Sequence, residues 1–171
     1  MKHPLQIHCA AADQQLALAE QFDSAQALRL WGGEGFTFPI RRQAFLQQLQ
    51  LPDTESFVLS DDTGKMLAFG QVCDRFDRLH LARLLVLPQY RGQRLAEQLI
   101  KGLLLQGLRY WPRRDASLFV FCENHAAIRS YQRLGFAISS QPGPLRTDLH
   151  FMTLSNHLCR QLTADIFDKP K

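Results

Sequence analysis

What this chain of 171 residues lacks narrows its chemistry first. Its four cysteines, Cys9, Cys73, Cys122 and Cys159, stand far apart and form no C-x-x-C pair, so neither a zinc site nor a disulfide framework is expected. Reduced, mostly buried thiols are the simpler reading. No apolar run reaches the roughly eighteen residues a membrane helix needs. Met1-Lys2-His3-Pro4 leads into a polar and apolar alternation, not the apolar core of a signal peptide. A soluble, cytoplasmic protein with no membrane partner is expected. The net charge of +4 carries no Lys/Arg-rich tract; the basic residues are spread out, with local pairs only at Arg41-Arg42 and Arg113-Arg114. Nucleic-acid binding, which calls for a basic stripe interleaved with exposed aromatics, is therefore the weaker rival. Internal repeats and low-complexity segments are missing too, while 46% hydrophobic content at this length suits one domain over residues 1–171 with a substantial core.

The chain's most informative segment is a corner. The apolar run Leu84-Leu85-Val86-Leu87-Pro88 reads as a buried strand, and it is followed by Arg91-Gly92-Gln93-Arg94-Leu95-Ala96-Glu97, which reads as the start of a helix. The first backbone N–H groups of a helix lack intrahelical acceptors, and the positive end of its dipole lies there, so such a corner suits an anion. Arg91 and Arg94 add guanidinium groups, which pair with phosphate oxygens in bidentate fashion.

A second segment lies downstream. Ser117 to Asn124 is a β-branched and aromatic run, followed by Ala127, Ile128, Tyr131 and Leu134 at helical spacing and closed by Gly135-Phe136. Together the two segments resemble the GNAT superfamily of acyl-CoA-dependent N-acyltransferases. In that family the corner reads Arg/Gln-x-x-Gly-x-Gly/Ala, matched here by Arg91 and Ala96, with Arg94 in place of the middle glycine. The other half-site reads Asn-x-x-Ala-x-x-x-Tyr-x-x-x-Gly-Phe, and Asn124, Ala127, Tyr131, Gly135 and Phe136 all fall in register. The resemblance covers roughly residues 56–154. If Arg94 adopts ordinary helical angles, its amide still points inward and only the side chain must swing aside.

The resemblance implies an α/β fold of the GNAT type: a twisted mixed central sheet of six to seven strands with helices on both faces. It implies acetyl-CoA as acyl-donor cosubstrate, no metal, and an amine acceptor. It assigns the backbone of Leu84, Leu85 and Val86 to pantetheine, on parallel fourth and fifth strands that splay at a bulge. Gly92, Gln93, Arg94, Leu95, Ala96 and Glu97 would supply the pyrophosphate amides, with Arg91, Asn124 and Ala127 completing the cofactor contacts. A homodimer is compatible with it, since the fold often pairs through its C-terminal strands, and the sequence leaves the oligomeric state open.

Coarse patterning fills in the rest. Leu5–Ala10 alternates like a strand, and residues 13–30 place Leu16, Ala19, Phe22 and Leu28 at helical spacing. A second helix is expected over 41–51. A hairpin joins 56–60 to 66–73 around Asp61-Asp62-Thr63-Gly64, and residues 79–87 form the central strand. The helix from Gly92 to about Leu108 would bury Leu95, Leu99, Leu103 and Leu104. A strand at 117–122, a helix at 124–134 and closing strands at 136–139 and 148–154 complete the pattern.

Tyr131 is the candidate general acid. Acyl transfer from a thioester expels a thiolate, to which a phenol of pKa about 10 can donate. Its alternative role is a core aromatic, and Asn124 equally suits a helix N-cap. Glu34, Glu123 and His80 are candidate bases for the substrate amine, each with a duller reading as a surface carboxylate, a strand-end carboxylate and an exposed imidazole. A covalent route through Cys122 is disfavoured by its apolar strand, which raises a thiol's pKa. Direct transfer in a ternary complex is preferred. Trp31, Glu34 and Phe36, in the glycine-rich segment 30–39, are candidate acceptor contacts, since aromatic faces and an acid attract a cation; the same residues could simply pin a tight loop to the core. Two rivals remain: a CoA-binding regulatory module of the same fold without turnover, and a basic nucleic-acid-binding protein.

Overall fold

In the computed structural model, which describes residues 4–167, seven strands form one sheet in the order β1-β2-β3-β4-β5-β7-β6. They are β1 (Gln6–Cys9), β2 (Thr54–Ser60), β3 (Met66–Arg75), β4 (Arg78–Val86), β5 (Ala116–Phe121), β6 (Ala137–Ser139) and β7 (Leu149–Leu154). Every neighbouring pair is antiparallel except β4 and β5, which run parallel. That one parallel step needs a crossover, supplied by helix α4 (Leu95–Tyr110).

Successive strand residues point to opposite faces, so the apolar strands build two cores. Phe57, Leu59, Leu81 and Leu118 face Leu99, Leu103 and Leu104 of α4, Ile128 of α5 (His125–Leu134) and Cys159 of α6 (Asn156–Phe167). On the other face Val58 and Phe69 meet Leu18, Leu28 of α2 (Ala25–Gly32), and Phe45 and Leu49 of α3 (Arg42–Leu49). The sheet is thus covered on both sides, as expected. Leu103 is fully buried in the larger core, and Leu103→Ala should cost about 2–5 kcal/mol through lost transfer energy and the cavity left behind. The expected reading is a lower urea midpoint at unchanged slope.

The hairpin turn sits where its residues predict, because the Asp61 carboxylate accepts from the amides of Thr63 and Lys65, both at 3.0 Å. Three expectations need correction. The helix read over 13–30 is two helices, α1 (Ala12–Ala17) and α2, separated by a 3-10 turn at Leu18–Gln21. The break comes from Ser24, which takes extended angles and whose Oγ accepts the Ala27 amide at 3.1 Å, starting a new helix. The helix read from Gly92 begins at Leu95. Helix α6 went unread; it packs on α4 through Cys159 and Leu158.

Candidate functional site

The site is built around one irregularity in β4. Along β3, Phe69 pairs with Leu85 and Gln71 with Ala82, so Arg83 and Leu84 stand opposite the single residue Gly70. This is a β-bulge, and Arg83 takes the left-handed angle that goes with it (φ 51°). On the other side, β4 pairs with β5 only from Leu79–Ala116 to Leu81–Leu118. Beyond Leu81 the two parallel strands part. The bulge is fixed by side chains: Trp31 Nε1 donates to the Arg83 carbonyl at 3.0 Å, and Arg83 Nη1 donates to Gln71 Oε1 at 2.7 Å. Gln71 is itself fully buried and donates to the Leu49 carbonyl and Ser56 Oγ.

At the C-terminal end of β4 the chain passes through a 3-10 turn at Pro88–Tyr90 into the corner. Gly92 has φ 78°, and Arg94, the N-cap of α4, has φ 58° and ψ 24°. Arg94 therefore takes left-handed angles, so the condition of ordinary helical angles is not met, at a cost of about 1–2 kcal/mol for a non-glycine residue. The chain must turn here to enter α4, and the glycine that the resembled pattern carries at this position would do so without that cost. Among the described residues, the amides of Gly92, Gln93 and Arg94 have no protein acceptor. Those of Leu95, Ala96 and Glu97 are the first three of the helix and have no intrahelical one. Six consecutive donors are thus open at the positive end of a sixteen-residue helix. The Glu97 carboxylate, which would repel an anion, is held by Arg133 of α5 at 2.9 Å. Arg91 Nε lies 3.4 Å from the Val86 carbonyl, and Arg94 is exposed.

Between the parted strands and the loops above them lies a cavity of about 950 Å³. Its walls bring together Trp31, Glu34, Leu84, Asn124 and Tyr131 from the sequence-predicted set, and His80 from the candidate bases. Leu85, Val86, Ala127 and residues 91–97 lie outside its lining. Asn124 caps α5, accepting the Ala127 amide at 3.2 Å, and also lines the cavity. Gly135 ends the same helix with φ 103°, which turns Phe136 into the core beneath Tyr131 (ring centroids 6.2 Å apart).

Tyr131 is half-buried against the larger core, and among the described residues its hydroxyl has no protein partner. Desolvation pushes its phenol up to about 12, so it stays protonated throughout the physiological range. His80 is not the exposed imidazole that the sequence allowed for: it is 3% exposed, with Nδ1 2.9 Å from Ser117 Oγ and the rings of Phe76 and Phe119 edge-on to it. Burial, helped by the charge of Arg75, lowers its imidazolium to about 3. The ring is thus neutral at pH 7. Because the folded pKa lies below the unfolded value near 6.5, the unfolded state binds the extra proton as pH falls, so His80 should destabilise the fold between pH 6.5 and about 3. The loss of urea midpoint over that window should be smaller in His80→Asn than in the parent protein.

The candidate acceptor segment divides. Trp31 lines the cavity and stacks among Phe22, Phe45 and Phe69, while Phe36 packs on Trp31 and Phe45 and lines a separate pocket of about 110 Å³. Phe36 therefore belongs to the loop's anchoring in the core, one of the two roles its composition allowed. Glu34 sits at the exposed rim, paired with Arg29 at 2.9 Å. Glu123 is exposed outside the cavity, and Cys122 Sγ points at the Thr147 carbonyl, 3.6 Å away. Sequence reasoning missed Arg83. Its only signal was a charged residue inside an apolar strand, and the bulge that turns it into the cavity leaves no trace in a period-two pattern.

Among the described residues no group of three or more His, Cys, Asp or Glu side chains could hold a metal, and no helix is long and apolar enough to cross a membrane. No curated protein matches the chain significantly by sequence. Solved structures of the same fold include the spermidine N-acetyltransferase of Vibrio cholerae in complex with CoA and spermine. It is 14% identical with a TM-score of 0.71, over 91% of this chain and 97% of that one. The ribosomal-protein-S18-alanine N-acetyltransferase of Escherichia coli is 24% identical with a TM-score of 0.62, over 88% of this chain and 93% of that one. The model of the acetyltransferase (GNAT) family matches residues 24–136, well over half of the sequence. With the seven-stranded sheet, the parted parallel strands and that match together, the chain belongs to the GNAT acetyltransferase family and is an acyltransferase.

Proposed function

We propose that this protein moves an acetyl group from acetyl-CoA to a primary amine by direct attack in a ternary complex. The observation that carries the reading is a conjunction along one stretch of chain. Six open amides at residues 92–97 follow the bulged end of β4, whose Arg83 and Leu84 line a cavity that also holds a phenol with no protein partner among the described residues.

The residues present fit the donor. The diphosphate would sit on the amides of Gly92 to Glu97, with Arg91 and Arg94 beside it. The pantetheine arm would run along Leu84, Leu85 and Val86 where β4 leaves β5, and Asn124 and Ala127 would border it at the start of α5. When bound, acetyl-CoA supplies an activated thioester carbon and a thiolate leaving group. Tyr131 then gives its proton to the departing sulfur as the C–S bond breaks. A phenol near 12 is too weak an acid to protonate a free aqueous thiolate, of pKa about 8.5, to completion. A thioester sulfur held beside Tyr131 would be desolvated as well, which would raise its affinity for the proton and narrow the gap. With its imidazolium held down at about 3, His80 is too weak a base for an ammonium, while Glu34 is paired at the rim and Glu123 is outside, so the amine attacks in its deprotonated form and then loses its remaining proton to solvent.

Arg94 departs from the resembled pattern and tests the phosphate end. Arg94→Gly removes a guanidinium from beside the diphosphate and relieves a left-handed residue. CoA affinity should fall about ten-fold, the size of one charge-assisted hydrogen bond, with no loss of melting temperature. Tighter binding would show that the arginine obstructs the cradle. For the reaction, purified protein incubated with acetyl-CoA and a panel of amines should release free thiol only when an acceptor is present. Tight CoA binding without acceptor-dependent release across the panel would support the regulatory-module reading instead.

A further inference from the structure

We propose that the acceptor is a small amine carrying a carboxylate, and that Arg83 holds this carboxylate at the floor of the cavity. The inference rests on the transferase reading above and names its substrate class.

The charges lining the cavity are four arginines and three acids, but most are already neutralised in pairs. Glu34 is bound to Arg29, Asp74 to Arg114, and Arg146 to Asp148. Asp53 is exposed at the rim. Arg83 and Arg75 remain, and among the described residues neither has a carboxylate partner. Arg83 is half-buried, and its guanidinium makes only neutral contacts: Nη1 to Gln71 Oε1, Nε 3.4 Å from the Gly32 carbonyl, and the face of the Phe36 ring 5.1 Å away. A guanidinium has five N–H donors, and among the described residues Nη2 has no protein acceptor. Burial disfavours its cationic form most, and the nearby charge of Arg75 adds to this, with Cys73 acting the other way. A desolvated cation beside a second cation is costly unless an anion joins them. A carboxylate fits, since it matches the guanidinium fork in bidentate fashion.

The positions are consistent with one small molecule. Arg83 and His80, three residues apart on β4, line the same cavity as Tyr131. A carboxylate on Arg83 would keep a short amino acid in this cavity, with its amine free to meet the donor thioester. A polyamine would instead meet an unpaired guanidinium at the floor, which disfavours it.

The test uses α-, β- and γ-amino acids, their carboxamides, and spermidine, each measured with the full-length protein by thiol release and by melting temperature in the presence of CoA. At least one amino acid is expected to exceed its carboxamide at least ten-fold in kcat/KM and to raise the melting temperature more. In Arg83→Met, measured at saturating acetyl-CoA, the difference should disappear through KM for the acceptor. Carboxamides or spermidine equal to or better than the amino acids would overturn the proposal. If thiol release is missing throughout, the acetyl-transfer reading fails; the melting shifts still decide this one. Should Arg83→Met be unstable, Arg75→Met, at an exposed position, is expected to reduce the same preference several-fold, and an unchanged preference there would count against the carboxylate.

Discussion

Tyr131→Phe should lower kcat by about 10²- to 10⁴-fold, the range typical of a lost general acid, while leaving acetyl-CoA affinity essentially intact. The substitution deletes one oxygen and keeps the ring that packs against Phe136 and the core, so folding should be unaffected. The hydroxyl has no protein partner to orphan among the described residues, which makes this a clean probe of the proton. A phenol held up to about 12 also predicts the pH profile. No alkaline decline from this group should appear below that value, and the acid limb should follow deprotonation of the substrate amine. Stopped-flow or steady-state thiol release across pH checks both. Unchanged turnover would remove Tyr131 from the acid role and leave it as a core aromatic.

Gly92→Val should weaken CoA binding by at least ten-fold. At φ 78° a β-branched residue is strained by about 1–2 kcal/mol, and the loop relieves this by rotating toward negative φ. That rotation swings the first amides of the cradle off their common focus. Nothing lies within 4 Å of where a Cβ would sit at Gly92, so the effect is conformational and not a clash with protein. Gly92→Asn separates the two: asparagine tolerates left-handed angles and should retain most of the affinity. Calorimetric titration with CoA reads both variants. Equal affinity of the valine variant and the parent would mean that the diphosphate binds elsewhere.

How much could be read from sequence differed by region for physical reasons. The β4–α4 corner and the α5 half-site were legible because a helix start and a helix end each demand particular residues: glycine at positive φ at Gly92 and Gly135, asparagine as N-cap at Asn124. The hairpin at Asp61 was legible for the same reason. The N-terminal third was harder. Residues 13–30 keep helical spacing across Phe22 and Asp23, and only the cap at Ser24 betrays the break. Helix α6 has apolar residues, but little distinguishes it from a tail without knowing that it packs on α4. Arg94 could have been placed: a position that the resembled pattern gives to glycine is one that turns left-handed, and the arginine there does so. Arg83 could not. Its inward aim depends on one extra residue in β4 opposite Gly70, a matter of register between strands.

The proposed transfer requires the amides of Gly92 to Glu97 to hold the diphosphate of the acyl donor while the parted end of β4 takes its arm. A crystal structure of the CoA complex tests it most directly. Pyrophosphate oxygens are expected about 2.7–3.2 Å from several of those six amide nitrogens, with the sulfur in the cavity beside the Tyr131 hydroxyl. A diphosphate bound away from residues 92–97, with those nitrogens facing solvent, would contradict it.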